Sequence, residues 1–320
     1  MSWKERLSHG CFTFQMCCMF DGQYGSRCWS SYFTFEDCCA LAVNSDNHRH
    51  IPFWHSKQVL VKLHERFRPH SVRAPWGLLR INQDVPETEW QVYRPERVPL
   101  VLWESGYMMM RWMEERAIAS NMFRDQRVLE LGAGIGLAAI LASLAGASVV
   151  ATDASNQSVQ LIRKNVRTNL GDQGRITALA LNWTQIVNFE DPSLDALDAR
   201  SRKELARKRL ADARVPGHFD IVVCAALGYV PVSTFHALLG ILDLTTDKKT
   251  IVLWGAGKEA TIHLNKSWNR DEKAVELAKA FKVQSELGDD RPSHQSHLNL
   301  FELRRRASWR GAPIFHRTAP

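Results

Sequence analysis

No apolar run approaches the roughly 20 residues that a membrane-spanning helix needs, so the chain is expected to be soluble, with no membrane partner. Repeated C-x-x-C spacing is missing, which argues against zinc, and no cysteine occurs between Cys39 and Cys224. Six of the seven cysteines (Cys11, Cys17, Cys18, Cys28, Cys38, Cys39) fall in the first forty residues, so a disulfide scaffold spanning the chain is excluded. No A-x-A site follows Met1–Phe20, where Gln15 interrupts the apolar residues behind Lys4 and Arg6; the expected setting is intracellular and reducing, in the cytoplasm and also the nucleus. A strong charge bias is absent too. The net charge is +7 and the pI about 9.1, spread over several helices, and Arg304-Arg305-Arg306 is the only dense patch, so nucleic acid is not an expected partner. With 320 residues, 45% of them apolar, the chain can bury a full core: one α/β domain plus additions.

What the sequence does have is one punctuated turn. In Val128-Leu129-Glu130-Leu131-Gly132-Ala133-Gly134-Ile135-Gly136-Leu137 an apolar run enters, three glycines follow, and Leu137–Ala142 leaves with helical composition. Gly132, Gly134 and Gly136 let the backbone bend and a ligand lie against it, while the new helix offers unpaired N–H groups. Glu130, two residues ahead of the first glycine, would repel a pyrophosphate and suits a cationic or hydroxyl-rich ligand. E-x-G-x-G-x-G resembles the turn with which class I methyltransferases hold the amino-acid part of S-adenosylmethionine. A second strand, 147–153, ends in Asp153, about 20 residues past the glycines, where a ribose diol needs an acceptor. Asp153 also reads as a helix cap, and alone it does not separate a methyl donor from NAD.

Around this turn the chain divides. Residues 1–50 are a cysteine-rich head without sustained period, read as poorly ordered or locally packed. Residues 51–98 are expected to hold a short helix around Val59-Leu60-Val61-Lys62-Leu63 and two strands, 76–81 and 90–93, a small β element that shapes a substrate face, covers a cofactor or simply packs. Residues 99–303 form the main domain. Its first helix, through Met108–Met113, is apolar on most sides and its methionines are core filler; Trp103 and Glu104 at its start are candidates to wall a pocket.

Downstream come a crossover helix over 158–169 and a third strand, 176–181, followed by Asn182 and Trp183, an amide and a ring suited to an adenine. An inserted charged helix, 194–213, is expected to be solvated. Residues 219–229 read as a fourth strand and its carboxyl-end loop, where a reaction centre is expected and Ala225 is a cofactor candidate; strands 250–254, 282–287 and 297–303 and a helix over 271–281 follow. His236, His263, His294 and His297 lack acidic or cysteine partners nearby in sequence, so no metal is expected. Residues 304–320 look like a basic, mobile tail.

From about Leu100 to Leu303 the sequence resembles the seven-β-strand protein methyltransferases of methyltransferase family 16. The matching pieces are Leu102-Trp103-Glu104, the stretch Val128–Leu137, Thr152-Asp153, Asn165-Val166-Arg167-Thr168-Asn169 and Leu181-Asn182-Trp183. The resemblance implies a Rossmann-like α/β sheet of seven strands with an antiparallel C-terminal hairpin, acting as a monomer on a lysine of a chaperone, a translation factor or calmodulin. It places Trp103, Glu130, Gly132, Gly134, Gly136, Asp153 and Trp183 around S-adenosylmethionine, with Asn182 and Ala225 on the same edge. The family carries D-x-x-Y after its fourth strand, whereas this chain has Ala226-Leu227-Gly228-Tyr229, keeping the tyrosine and losing the carboxylate. Tyr229 and Glu104 are therefore the catalytic candidates, and two alternatives stand: a catalytically silent cofactor-binding module, or a methyltransferase of a non-protein substrate.

Overall fold

The computed structural model describes residues 57–69, 78–85, 96–187, 197–225, 227, 230–257, 272–286 and 298–315. Strands β1 (Gln58–Lys62) and β2 (Leu78–Asn82) pair antiparallel as a separate ribbon. The helix expected around Val59–Leu63 is thus a strand. Its buried and exposed positions alternate, with Val59 and Val61 buried and Gln58 and Leu60 exposed, as in a strand with one face covered. The strand expected over 90–93 lies outside the described residues, as do the cysteine-rich head, His263, His294 and His297.

The main domain runs α1 (Glu104–Ser120), β3 (Arg127–Leu131), α2 (Leu137–Leu144), β4 (Ser148–Asp153), α3 (Asn156–Leu170), β5 (Ile176–Ala180), α4 (Trp183–Ile186), α5 (Ala199–Asp212), β6 (Ile221–Ala225), α6 (Val232–Thr245), β7 (Ile251–Gly257), α7 (Glu272–Ala280), β8 (Phe281–Glu286) and β9 (Leu298–Arg305). The sheet order is β5-β4-β3-β6-β7-β9-β8, parallel except for β9, which pairs antiparallel with both β7 and β8. This is the seven-stranded α/β sheet with an antiparallel closing hairpin that the resemblance implied.

Strand alternation splits the interior into two cores, one on each face of the sheet. Val128, Ile221, Val223 and Leu253 pack into one with α2 and with Met109, Met110, Trp112 and Met113 of α1. Leu129, Leu131, Val222, Cys224, Val252 and Trp254 enter the other, against α6 and the inner side of α5. Met109, Met110 and Met113 of α1 are core, as expected of methionine filler, while Met108 is half-buried. Every residue of α2 is buried, so the helix that leaves the glycine turn is fixed on all sides. No described helix is long and apolar enough to cross a membrane.

The C-terminal stretch departs from expectation. Arg304 and Arg305 belong to β9, and the chain stays packed through Phe315, which is buried with Ala312. The cause is Asp243 of α6, a buried carboxylate invisible in the sequence pattern. It pairs with Arg305 at 2.6 Å and with Lys203 of α5 at 2.8 Å, and it accepts the Ala312 N–H at 3.1 Å. The Arg305 guanidinium lies over the Trp309 ring, 4.5 Å from its centroid. Replacing Asp243 by Ala leaves two part-buried cations and an N–H without their acceptor, so a loss of about 3–5 kcal/mol is expected in urea unfolding; a loss below about 1 kcal/mol would contradict this role.

Candidate functional site

The carboxyl ends of the central strands lie level. Leu131 of β3 is in register with Thr152 of β4 on one side and Cys224 of β6 on the other, so Gly132, Asp153 and Ala225 emerge together. Asp153 is in register with Ala180 of β5, and Asn182 and Trp183 follow at the same edge. The sequence-predicted cofactor residues on the sheet are thus brought to one place.

The turn itself needs its glycines. Gly132, Gly134 and Gly136 have φ of +66°, +54° and +81°, a region that side chains with a Cβ seldom enter. A Cβ on Gly132 would come within 2.6 Å of Leu227 Cδ2, and one on Gly134 within 3.3 Å of the Pro99 carbonyl oxygen. Two segments therefore cover the turn: residues 96–103 from the N-terminal side and Leu227 from beyond β6. Sequence reasoning missed Leu227 and Pro99, because neither carries chemistry of its own.

A polar frame holds the turn open. Asp153 Oδ2 accepts the Gly134 N–H at 3.0 Å and Oδ1 the Ser155 N–H at 3.1 Å, while the Ser158 hydroxyl donates to the Gly134 carbonyl at 2.5 Å. Thr152 Oγ1 donates to the Glu130 carbonyl at 2.8 Å. Glu130 Oε2 accepts the Ala139 N–H at 2.9 Å, so this carboxyl caps α2 from a distance where Gly136, at the cap position, has no side chain to do so.

The electrostatics follow from dryness. Burial pushes Glu130 up to about 8; the Ala139 N–H opposes the shift and the neighbouring Asp153 charge adds to it. Asp153 is raised in the same direction by burial, restrained by the N–H groups of Ser155 and Gly134 and by Ser158. Two acids reluctant to ionise favour a cation or a hydroxyl donor as neighbour. Burial also raises the Cys224 thiol, which makes that residue part of the core and not a nucleophile.

Residues 87–198 match the model of the family described as Lysine methyltransferase, methyltransferase family 16. Over that third of its length the chain is similar to this family. It is 28% identical over 188 residues to Protein N-lysine methyltransferase METTL21A of Danio rerio, covering 58% of this chain and 70% of that protein. It is 30% identical over 142 residues to EEF1A lysine methyltransferase 3 of Mus musculus, covering 44% of this chain and 48% of that one. To the putative methyltransferase-like protein 21E pseudogene of Homo sapiens it is 47% identical over 158 residues, 48% of this chain and 49% of that sequence. The chain thus spans about half the length of two of these relatives.

The remaining candidate residues lie as follows. Trp183, the first residue of α4, is buried, and its indole N–H has no partner among the described residues. Asn182 Oδ1 accepts from the Thr184 N–H at 3.1 Å and its hydroxyl at 2.7 Å, so the carbonyl of this amide caps α4. Trp103 donates its indole N–H to the Val98 carbonyl at 2.6 Å and braces the covering segment. Glu104 begins α1; its side chain, like Ala226 and Tyr229, lies outside the described residues. A turn of three glycines, two acids favouring a cation or diol, and a buried indole N–H without a partner among the described residues fit S-adenosylmethionine.

Proposed function

We propose that this chain transfers a methyl group from S-adenosylmethionine to a lysine side chain of a protein. The observation that supports it best is the glycine turn with Glu130 and Asp153 behind it, level with Trp183 at the carboxyl edge of the sheet. When bound, the cofactor supplies a methyl group on a sulfonium. In this reading Asp153, which holds the turn through the Gly134 N–H, accepts from the ligand's diol, and Glu130, which fixes α2 through the Ala139 N–H, favours its positive charge. The mouse relative's name points to EEF1A as its own target, and a protein substrate is carried over to this chain on that likeness. Tyr229, in a position that keeps the family's tyrosine, contacts the target ammonium, and Glu104 takes part of the role of the missing aspartate. The proposal includes a cytoplasmic or nuclear setting and a monomer.

Ala226 favours a second reading, a module that binds cofactor and partner without turnover. Incubating the full chain with methyl-labelled cofactor and cell lysate separates the two. Labelled protein that yields methyl-lysine on hydrolysis is expected; cofactor binding with no labelled protein would establish the silent module, and label in RNA would redirect the substrate class.

A further inference from the structure

The N-terminal ribbon reaches the glycine turn through two asparagines. Asn165 and Asn169 stand one turn apart on α3, and Asn165 is fully buried. Asn169 accepts the Arg80 N–H at 2.8 Å and donates to the Arg80 carbonyl at 2.9 Å. Asn165 does the same for Asn82, at 2.7 and 2.9 Å. The two carboxamides thus act as a substitute strand along β2, each matching the N–H and C=O of one residue. Burying an asparagine on the face that also carries Val159 and Ile162 is favourable only when its donors and acceptor are met, and here they are.

Only Asn165 goes further. Its Nδ2 also donates to the Ile135 carbonyl at 2.9 Å, inside the glycine turn. Just beyond Asn82, Gln83 accepts the Leu102 N–H at 2.9 Å, and the Asp84 N–H donates to the Leu100 carbonyl at 2.9 Å. Asp84 also pairs with Arg97 at 2.8 Å and accepts from Gln157 at 2.6 Å. These contacts fasten the segment whose Pro99 carbonyl lies against Gly134. Ribbon, covering segment and turn form one closed circuit, with Asn165 as the link between ribbon and turn.

We propose that Asn165 is a positioning residue that couples docking of the β1–β2 ribbon to cofactor binding, so that each stabilises the other. The proposal rests on the turn being the S-adenosylmethionine site. Coupling of this kind is reciprocal: if ribbon docking raises cofactor affinity, the cofactor must protect the ribbon by the same factor. Asn169 supplies the control, since it grips the ribbon and does not touch the turn.

The test combines cofactor titration with amide hydrogen exchange of residues 58–62 and 78–82 on the full chain, for wild type, Asn165→Asp, Asn165→Ala and Asn169→Ala. Asn165→Asp keeps the shape and the acceptor and loses both donated bonds. The expected result is that S-adenosylmethionine slows exchange in the wild-type ribbon and in Asn169→Ala. The Asn165 variants bind it at least tenfold more weakly and lose the cofactor-dependent slowing. Asn165→Asp binding within twofold of wild type, or a ribbon indifferent to cofactor in the wild type, overturns the coupling. A wild type that fails to bind S-adenosylmethionine overturns the cofactor site itself, a distinguishable failure. If Asn165→Ala does not fold, the isosteric Asn165→Asp carries the test.

Discussion

Gly134→Arg is expected to abolish binding of S-adenosylmethionine, with a loss of at least a hundredfold, while the chain stays folded. Gly134 sits at φ +54°, where a residue with a Cβ is disfavoured by about 1–2 kcal/mol, a sum that a domain of this size survives. The binding loss has two further sources. The added Cβ presses on the Pro99 carbonyl at 3.3 Å, which is backbone and yields little. The guanidinium also fills the space beside Asp153 and pairs with the carboxylate that a ligand diol would use, while the Gly134 N–H to Asp153 bond is strained. Thermal-shift measurement with and without the cofactor checks both halves. A variant still stabilised by the cofactor as the wild type is would show that the ligand lies elsewhere.

The second large effect is a pH dependence carried by Glu130. Its folded pKa of about 8 lies above the ordinary value of 4.5, so its contribution to stability is fully present below about pH 4.5. As pH rises, the unfolded chain gives up this proton first, and stability falls until the folded pKa is passed; the drop approaches roughly 5 kcal/mol. Asp153, raised in the same direction, adds to the fall just above the ordinary carboxylate range. A cationic ligand reverses the balance by favouring the ionised carboxyl, so its binding releases a proton. Affinity for S-adenosylmethionine therefore rises between pH 6 and 8, by up to about tenfold per unit. Glu130→Gln, which retains an oxygen for the Ala139 N–H, flattens both profiles. Urea unfolding and titrations at several pH values read the two slopes; a wild type whose stability climbs over that range would contradict the buried, protonated carboxyl.

Much of this was legible in the chain because periodicity and punctuation carry it. The run Val128–Leu131, the three glycines and Asp153 each reflect a local demand: a buried strand, a turn needing positive φ, an acid at a strand end. Contacts between residues far apart in sequence left no such mark. Val59–Leu63 is short enough to suit either period, and its pairing with Leu78–Asn82 decided for strand. Arg304-Arg305-Arg306 reads as solvated charge until Asp243, about sixty residues earlier, is found buried opposite it. Asn165 and Asn169 stood within a recognised stretch without a role, since nothing local says that an amide meets a strand edge. Asn182 shows the converse: its place at the edge was foreseen, and its carbonyl turned out to serve the adjacent helix.

The most direct measurement is calorimetric titration of the full chain with S-adenosylmethionine and, separately, with NAD. Micromolar binding of the methyl donor alone, weakened by Asp153→Ala, is the result predicted from the turn, its two acids and the Trp183 indole, which has no partner among the described residues. Binding of NAD instead, or of neither ligand, would contradict the account at its centre.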